Sequence, residues 1–550
     1  MSAVSKIAVV GDSDAGAAIR ELAQAAGIDV VSAESVSELP ALAGCDLVVE
    51  AVAERFGAKQ DALTELVKSA PEDAVLVSTT TALRVTDLGL AAGAPARLVG
   101  LHLSLPAADR TLAEIVVSPL AGEAAVAAVA AFAEATGRTV AQVADRPGLI
   151  TSRLLYGYLN HAVNMVESGY ATAADVDAAM RFGCGYPVGP IAAIDAIGLD
   201  RFHDVLTALY AETGERVHAP APMLKQLVAA GHLGQRSGRG FYSYAAAGSS
   251  EIVADESADA NTSVKPRVIE RVGVVGSGTM ATGIIEVFAK SGYEVTFVAR
   301  SDEKVSRVLG ALTKSLDKQV SKGRLTEEDR DAVLGRVIGA TDVSALDQVD
   351  LALEAVVEDL NIKTELFRNL DRVCKPGAVL ATTTSSLPVI EMAAVTERPQ
   401  DVVGLHFFNP APIMKLVEIV STVETADDVI ATARDICAST KKVAVECGDR
   451  GGFIVNALLF PYLNDAVRLM DAHYASKEEI DTAIKAATGF PMGPFALLDV
   501  VGNDVSLAIQ EVLIAEFNDP GFAPAKSLSD VVSAGFLGRK TGRGFYDYAR

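Results

Sequence analysis

The stretch RVGVVGSGTMATGIIEVFAKSGYEVTFVAR, residues 271–300, decides how this chain is read. An apolar run (272–275) leads into a glycine-spaced turn, then a segment with apolar residues at helical spacing, then a second apolar run (294–298). Strand, turn, helix and strand in that order open a parallel, doubly wound α/β sheet. Gly276, Gly278, Ala281 and Gly283 carry the G-x-G-x-x-G/A spacing. The first glycine permits a tight turn, the second lets backbone approach a pyrophosphate, and the helix start offers free N–H groups and positive potential. Gly276, Ser277, Gly278, Thr279 and Met280 are therefore candidate contacts to a dinucleotide.

The end of the second strand bears on which dinucleotide. An NAD site usually carries Asp or Glu there, about 20 residues after the loop, to bind the ribose 2′-hydroxyl. Here the strand ends in Ala299, Arg300 and Ser301. Without the acid a 2′-phosphate is not repelled, and Arg300 with Ser301 can bind it by charge-assisted hydrogen bonds. The reading favours NADP(H). NAD is the alternative, with Arg300 a solvated surface residue.

The same pattern is written twice. IAVVGDSDAG (7–16) answers VGVVGSGTMA (272–281), and DLVVEAVAERFGAK (46–59) answers DLALEAVVEDLNIK (350–363). VGLHLSLP (99–106) answers VGLHFFNP (403–410), GYPVGP (185–190) answers GFPMGP (489–494), and LGQRSGRGFYSY (233–244) answers LGRKTGRGFYDY (537–548). Five matches in one order mark a tandem duplication. Each copy begins with alternating strand-like and helical segments and becomes wholly helical after Gly148 or Gly452. The expected domains are a degenerate Rossmann-like unit (1–147), a first helical domain (148–244), a small, polar, acidic linker (245–267), a nucleotide-binding Rossmann domain (268–450) and a second helical domain (451–550). The second copy carries an insert, 301–339, read as two charged amphipathic helices joined at KGRLTEED.

Bulk properties narrow the function classes. The net charge of -23 argues against a nucleic-acid surface. The five cysteines are scattered and never in C-x-x-C spacing, so neither a disulfide framework nor a metal site is expected. The chain opens on MSAVSKIAVV without a signal-like region, and no apolar run reaches the ~18 residues of a membrane span. A cytoplasmic protein is expected.

His406 and Glu418 form the candidate chemical centre. VVGLHFF and KLVEIV are strand-like runs flanking NPAPIM, and a turn near Pro412 places the two positions opposite one another. A carboxylate on one imidazole nitrogen fixes the tautomer and stabilises the imidazolium, as a general base requires.

With these residues in view, the second copy resembles the 3-hydroxyacyl-CoA dehydrogenase family. The likeness covers 269–550 and rests on GSGTMATG, EAVVE (354–358), TSSL (384–387), HFFNP (406–410), Glu418, GFIVN (452–456), GFPMGP and GRKTGRGFYDY (538–548). It implies that His406 is the catalytic base and Glu418 its partner, that Ser385 and Asn456 hydrogen-bond the reacting oxygens of an acyl-CoA substrate, and that Glu358 and Lys363 line the nicotinamide and ribose region. It also implies that the inserted hairpin helps to bind coenzyme A, and that the two helical domains pack together as an internal pseudo-dimer, the chain being a monomer or a homodimer. Two positions depart from the pattern: Thr383 stands where the family has Asn, and the acid after the second strand is missing.

The first copy keeps His102 and Glu114 at the same spacing, and Glu54 and Lys59. Its loop has Ser13 for the second glycine, flanked by Asp12 and Asp14, whose charge opposes a pyrophosphate. Thr81 replaces Ser385, Ser152 replaces Asn456, and Leu105 replaces Asn409. One active site is therefore expected, for a reversible (S)-3-hydroxyacyl-CoA dehydrogenase reaction in fatty acid or aromatic acid metabolism. The alternatives are a sugar-acid dehydrogenase of L-gulonate type and a noncatalytic acyl-CoA-binding protein.

Overall fold

The computed structural model describes residues 4–38, 42–104, 110–253 and 264–548. In the first copy the strands are β1 (Lys6–Val10), β2 (Asp29–Ala33), β3 (Leu47–Glu50), β4 (Val75–Ser78), β5 (Leu98–Leu103), β6 (Leu112–Val117) and β7 (Thr139–Ala144). They lie in the order β2-β1-β3-β4-β5-β6-β7, parallel except at β5/β6. Helices α1 (Asp14–Ala25), α2 (Phe56–Ser69), α3 (Val85–Ala92) and α4 (Glu123–Ala135) join them. Strand β3 is buried along its whole length, which is why it reads as the continuous run LVVE rather than an alternating one. The order reverses between β1 and β3, opening a crevice at their carboxyl ends where such sheets take ligands. The helical part follows as α5 (Thr151–Glu167), α6 (Ala173–Cys184), α7 (Pro190–Ile197), α8 (Leu199–Thr213) and α9 (Pro222–Ala229).

A short ribbon, β8 (Ser243–Tyr244) with β9 (Ile252–Val253), folds the start of the expected linker back on the first copy. The linker's middle, 254–263, lies outside the described residues. At its far end Arg267 pairs with Asp401 and Asp428, both at 2.8 Å, and so is fastened to the second copy.

The second copy repeats the plan with β10 (Arg271–Val275), β11 (Glu294–Val298), β12 (Val337–Ala340), β13 (Leu351–Glu354), β14 (Val379–Thr382), β15 (Val402–Phe407), β16 (Leu416–Ser421) and β17 (Val443–Gly448). Its helices are α10 (Thr279–Lys290), α11 (Asp302–Ser321), α12 (Glu327–Gly335), α13 (Leu360–Val373), α14 (Val389–Ala393) and α15 (Asp427–Ser439). The insert holds the two expected helices, but its end also forms β12, which pairs with β11 and extends the sheet to eight strands. That strand is four residues long and half-exposed, so it leaves little periodic signal. The helical part is α16 (Val455–Asp471), α17 (Lys477–Thr488), α18 (Pro494–Val501), α19 (Asn503–Phe517) and α20 (Lys526–Ser533).

The motifs that both helical domains keep are explained by buried carboxylates. Asp481 accepts from the N–H groups of Phe495 and Ala496 at the start of α18 and from the Tyr546 hydroxyl. Asp499 accepts from the N–H groups of Phe545 and Tyr546 and from Tyr548. Asp177 and Asp195 repeat both arrangements with Tyr242 and Tyr244. Gly544 and Gly240 stand so close to Asp499 and Asp195 that a Cβ would overlap the carboxylate. GRGFY-x-Y is therefore a strap closing each helical domain, and it persists independently of any chemistry.

The two copies share one continuous core. Helices α5 and α16 lie against each other, α6 lies on β17, and α17 lies on β7. Tyr158 faces its own counterpart Tyr462 at 5.5 Å, and Tyr186 stacks on its counterpart Phe490 at 3.5 Å and 6°. Equivalent residues that touch one another mark a local two-fold axis. Tyr186→Ala is expected to destabilise the protein by about 3–5 kcal/mol, measured as a lowered urea midpoint. Val268→Ala, 79% exposed, serves as the control and is expected to change stability by less than about 0.5 kcal/mol.

Candidate active site

The antiparallel pairing of β15 with β16 sets His406 directly opposite Glu418. Imidazole Nδ1 lies 2.6 Å from Glu418 Oε2. The other carboxylate oxygen accepts from the N–H groups of Ile454 at 3.1 Å and Val455 at 2.8 Å, where α16 begins. Glu418 is 0% exposed, so its charge rests on these bonds and on the positive end of α16. With Nδ1–H donating to the carboxylate, Nε2 is the ring's free acceptor. The rings of Phe408 and Phe453 flank the imidazole at 4.5 and 5.7 Å.

A second cluster stands at the end of β13. The Lys363 ammonium is buried between Glu354 at 2.7 Å and Glu358 at 3.2 Å. Thr382 also donates to Glu354, and the N–H of Val356 does so at 3.1 Å. Glu358 accepts from the Thr384 hydroxyl at 2.6 Å and the Ser385 N–H at 2.9 Å. Asn456 Nδ2 donates to the Ser385 carbonyl at 3.0 Å, tying the helical domain to this loop. The structure thus gathers Glu358, Lys363, Ser385 and Asn456 into one connected group. Glu354, which anchors the lysine, was not singled out from the sequence; the E-x-x-x-E spacing of EAVVE was the available signal. Thr383, the departure from the family pattern, accepts from the Phe407 N–H at 3.3 Å and so supports the strand that carries His406.

The two glycine loops differ physically. In the second copy Gly276 has φ 146° and abuts the Ala355 carbonyl, while space above Gly278 is open. Helix α10 begins without a side-chain cap and without an acid in its first turn. Unpaired N–H groups facing open space fit a pyrophosphate. Arg300 is exposed beyond β11, with no ion pair among the described residues. Ser301 caps α11 by accepting from Lys304 N at 3.3 Å, which leaves its hydroxyl proton free to donate.

In the first copy the corresponding helix start is taken by the chain itself. Ser13 caps α1 through the Gly16 N–H at 3.2 Å, and Arg20 donates to the Gly11 carbonyl at 3.0 Å. Asp14 forms an ion pair with Arg201 of α8, spanning the crevice between sheet and helical domain. Tyr156 and Phe202 stack at 5.1 Å, and Tyr156 packs with Ala82, Val205 and Leu209 between the loop after β4 and α8. His102 and Glu114 remain 2.9 Å apart, with Ile150 N, Thr151 N and the Thr151 hydroxyl on Glu114. Ser152 Oγ is buried with no hydrogen-bond partner among the described residues, and Leu105 lies outside them.

Comparison with known proteins gives matching results for both copies. The description "3-hydroxyacyl-CoA dehydrogenase, NAD binding domain" matches residues 33–146 and 271–450, and its C-terminal domain matches 148–244 and 452–548. The chain is 46% identical to a 3-hydroxybutyryl-CoA dehydrogenase of Mycobacterium tuberculosis over 283 residues, which is 51% of this chain and 99% of that one. It is 41% identical over 281 residues to the 3-hydroxyadipyl-CoA dehydrogenase of Escherichia coli, covering 51% of this chain and 59% of that one. The crystal structure of (S)-3-hydroxybutyryl-CoA dehydrogenase from Ralstonia eutropha is similar at a TM-score of 0.51 and 38% identity, covering 52% of this chain and all of that one (100%).

One pH dependence follows from the cluster. Burial raises the Glu358 pKa, but Lys363 and the bonds from Thr384 and Ser385 outweigh it and hold it below the ordinary 4.5. A depressed native value adds stability above the unfolded pKa and loses it as pH falls through the native one. The stability difference between the protein and Glu358→Gln should therefore be largest at neutral pH and shrink below about pH 4.5. Urea midpoints across that range measure it, and a constant difference contradicts the assignment.

Proposed function

This chain belongs to the 3-hydroxyacyl-CoA dehydrogenase family, and on that premise we propose that it is an (S)-3-hydroxyacyl-CoA dehydrogenase with one working site, in the second copy. The observation that carries this is the contrast between the two loops: both copies hold a His–Glu pair, but only the second also has an uncapped helix start after its glycine turn. The names of its relatives point to 3-hydroxybutyryl-CoA or 3-hydroxyadipyl-CoA as substrate.

In oxidation His406 Nε2 accepts the proton of the 3-hydroxyl, and the Glu418 carboxylate offsets the positive charge that develops on the ring. The nicotinamide cofactor, when bound, supplies the hydride acceptor. In reduction the protonated His406 donates to the carbonyl oxygen. Ser385 and Asn456 hold the acyl oxygens, and Glu358 and Lys363 orient the ribose. Gly276, Ser277, Gly278, Thr279 and Met280 hold the pyrophosphate through backbone N–H groups. Arg300 and Ser301 favour NADP(H) over NAD(H). The α11–α12 hairpin receives coenzyme A. The first copy serves as a pseudo-dimeric scaffold in a cytoplasmic enzyme; no helix among the described residues is long and apolar enough to cross a membrane.

His406→Ala is expected to lower kcat by about 10²–10⁴-fold, while His102→Ala keeps wild-type turnover; near-equal losses would refute a single site. Acetoacetyl-CoA reduction is expected to run better with NADPH than with NADH, and Arg300→Asp to reverse that order. A wild-type preference for NADH contradicts the role given to Arg300.

A further inference from the structure

Residues 449–454 join β17 to α16 and form the hinge between the sheet and the helical domain of the second copy. At its far end are the N–H groups of Ile454 and Val455 that hold Glu418. Phe453, with φ 49°, lays its ring 5.7 Å from His406. At its near end Asp449 accepts from the N–H groups of Val389 (2.9 Å) and Ile390 (2.6 Å), which start the helix after the Ser385 loop. The conformation of this segment is thus part of the geometry of the His406–Glu418 pair.

The hinge is held from both copies: Phe517 and Leu513 reach it from its own helical domain, and Tyr170 reaches it from the first copy. The Arg450 guanidinium lies 3.7 Å from the ring centroid of Tyr170, a first-copy residue between α5 and α6, and 5.1 Å from that of Phe517. Its Nε is buried with no hydrogen-bond partner among the described residues, so the aromatic faces are what that nitrogen meets, while the Glu516 carboxylate acts on the guanidinium charge. The Tyr170 ring edge packs against Gly448, and its hydroxyl is buried beside Cys447. Helix α6 continues the wall: a Cβ on Gly183 would approach Leu416 to 2.9 Å and Val455 to 3.0 Å, at the starts of β16 and α16. Across the local axis Tyr474 receives Arg146 at 4.9 Å, but Arg146 has in addition a 2.8 Å hydrogen bond to the Ala472 carbonyl.

We propose that Tyr170 is a positioning residue for the active site of the second copy. By clamping Arg450 it sets the hinge, and through Ile454 and Val455 it orients Glu418 and His406. The copy that has lost its nucleotide loop therefore acts on the reaction through one aromatic ring. The proposal rests on the dehydrogenase reading of the second copy.

The test compares the full chain with Tyr170→Ala, Tyr170→Phe and Tyr474→Ala, by steady-state reduction of acetoacetyl-CoA and by hydrogen exchange over residues 449–456 and 145–152. Tyr170→Ala is expected to lower kcat by about ten- to a hundredfold while the KM for the cofactor is unchanged. Tyr170→Phe, which keeps the ring, restores the rate, and Tyr474→Ala keeps it. Exchange over 449–456 rises in Tyr170→Ala alone. Wild-type kcat in Tyr170→Ala, equal losses in Tyr170→Ala and Tyr474→Ala, failure of Tyr170→Phe to restore the rate, or unchanged exchange over 449–456 each overturns the proposal. A wild-type chain without turnover refutes the dehydrogenase reading instead, and the exchange comparison still decides whether Tyr170 holds the hinge.

Discussion

A carboxylate buried away from water must find hydrogen bonds or lose its charge, and Glu418 finds them across a domain boundary. Strand β16 carries the side chain, and the opening N–H groups of α16 receive it. The bond to His406 is therefore inseparable from how sheet and helical domain meet. The same constraint explains the survival of His102–Glu114 in a copy whose other site residues have changed. Glu114 holds Ile150 N, Thr151 N and the Thr151 hydroxyl. Removing one partner of a buried charge costs about 3–5 kcal/mol. The pair in the first copy thus fastens sheet to helical domain.

With that fastener in common, the two copies treat the helix start after the glycine loop differently. A helix start has unsatisfied N–H groups and positive potential that something must answer. In the first copy Ser13 and Asp14 supply an internal cap and charge, and Arg201 answers Asp14 from α8. One aspartate of GDSDAG thus closes the crevice through its pair with Arg201. The Tyr156–Phe202 stack fills the gap behind it. In the second copy the equivalents of Asp14 and Arg201 are Thr279 and Val505, which form no ion pair, and the crevice keeps an uncapped loop.

Much of this was legible in the sequence because it is local or written twice. The β10–α10–β11 unit, the antiparallel turn that aligns His406 with Glu418, and the duplication itself follow from spacing alone, whereas the buried aspartates behind the repeated GRGFY motif do not. What escaped is long-range. The Asp14–Arg201 pair spans 187 positions of chain (201 minus 14), and nothing in either neighbourhood announces it. The Arg450–Tyr170 contact joins different copies, and Glu354 reads as an ordinary strand end until the fold brings Lys363 to it. Strand β12 is too short and half-exposed to show a period.

Two dehydrogenase folds with one cofactor site between them make a stoichiometry that can be measured. Calorimetric titration of the full chain with NADPH tests it most directly. One equivalent is expected to bind per chain, and Gly278→Asp, which puts a carboxylate where the second loop has open space, is expected to abolish it. Two equivalents per chain, or a single equivalent that survives Gly278→Asp, contradict a single site in the second copy.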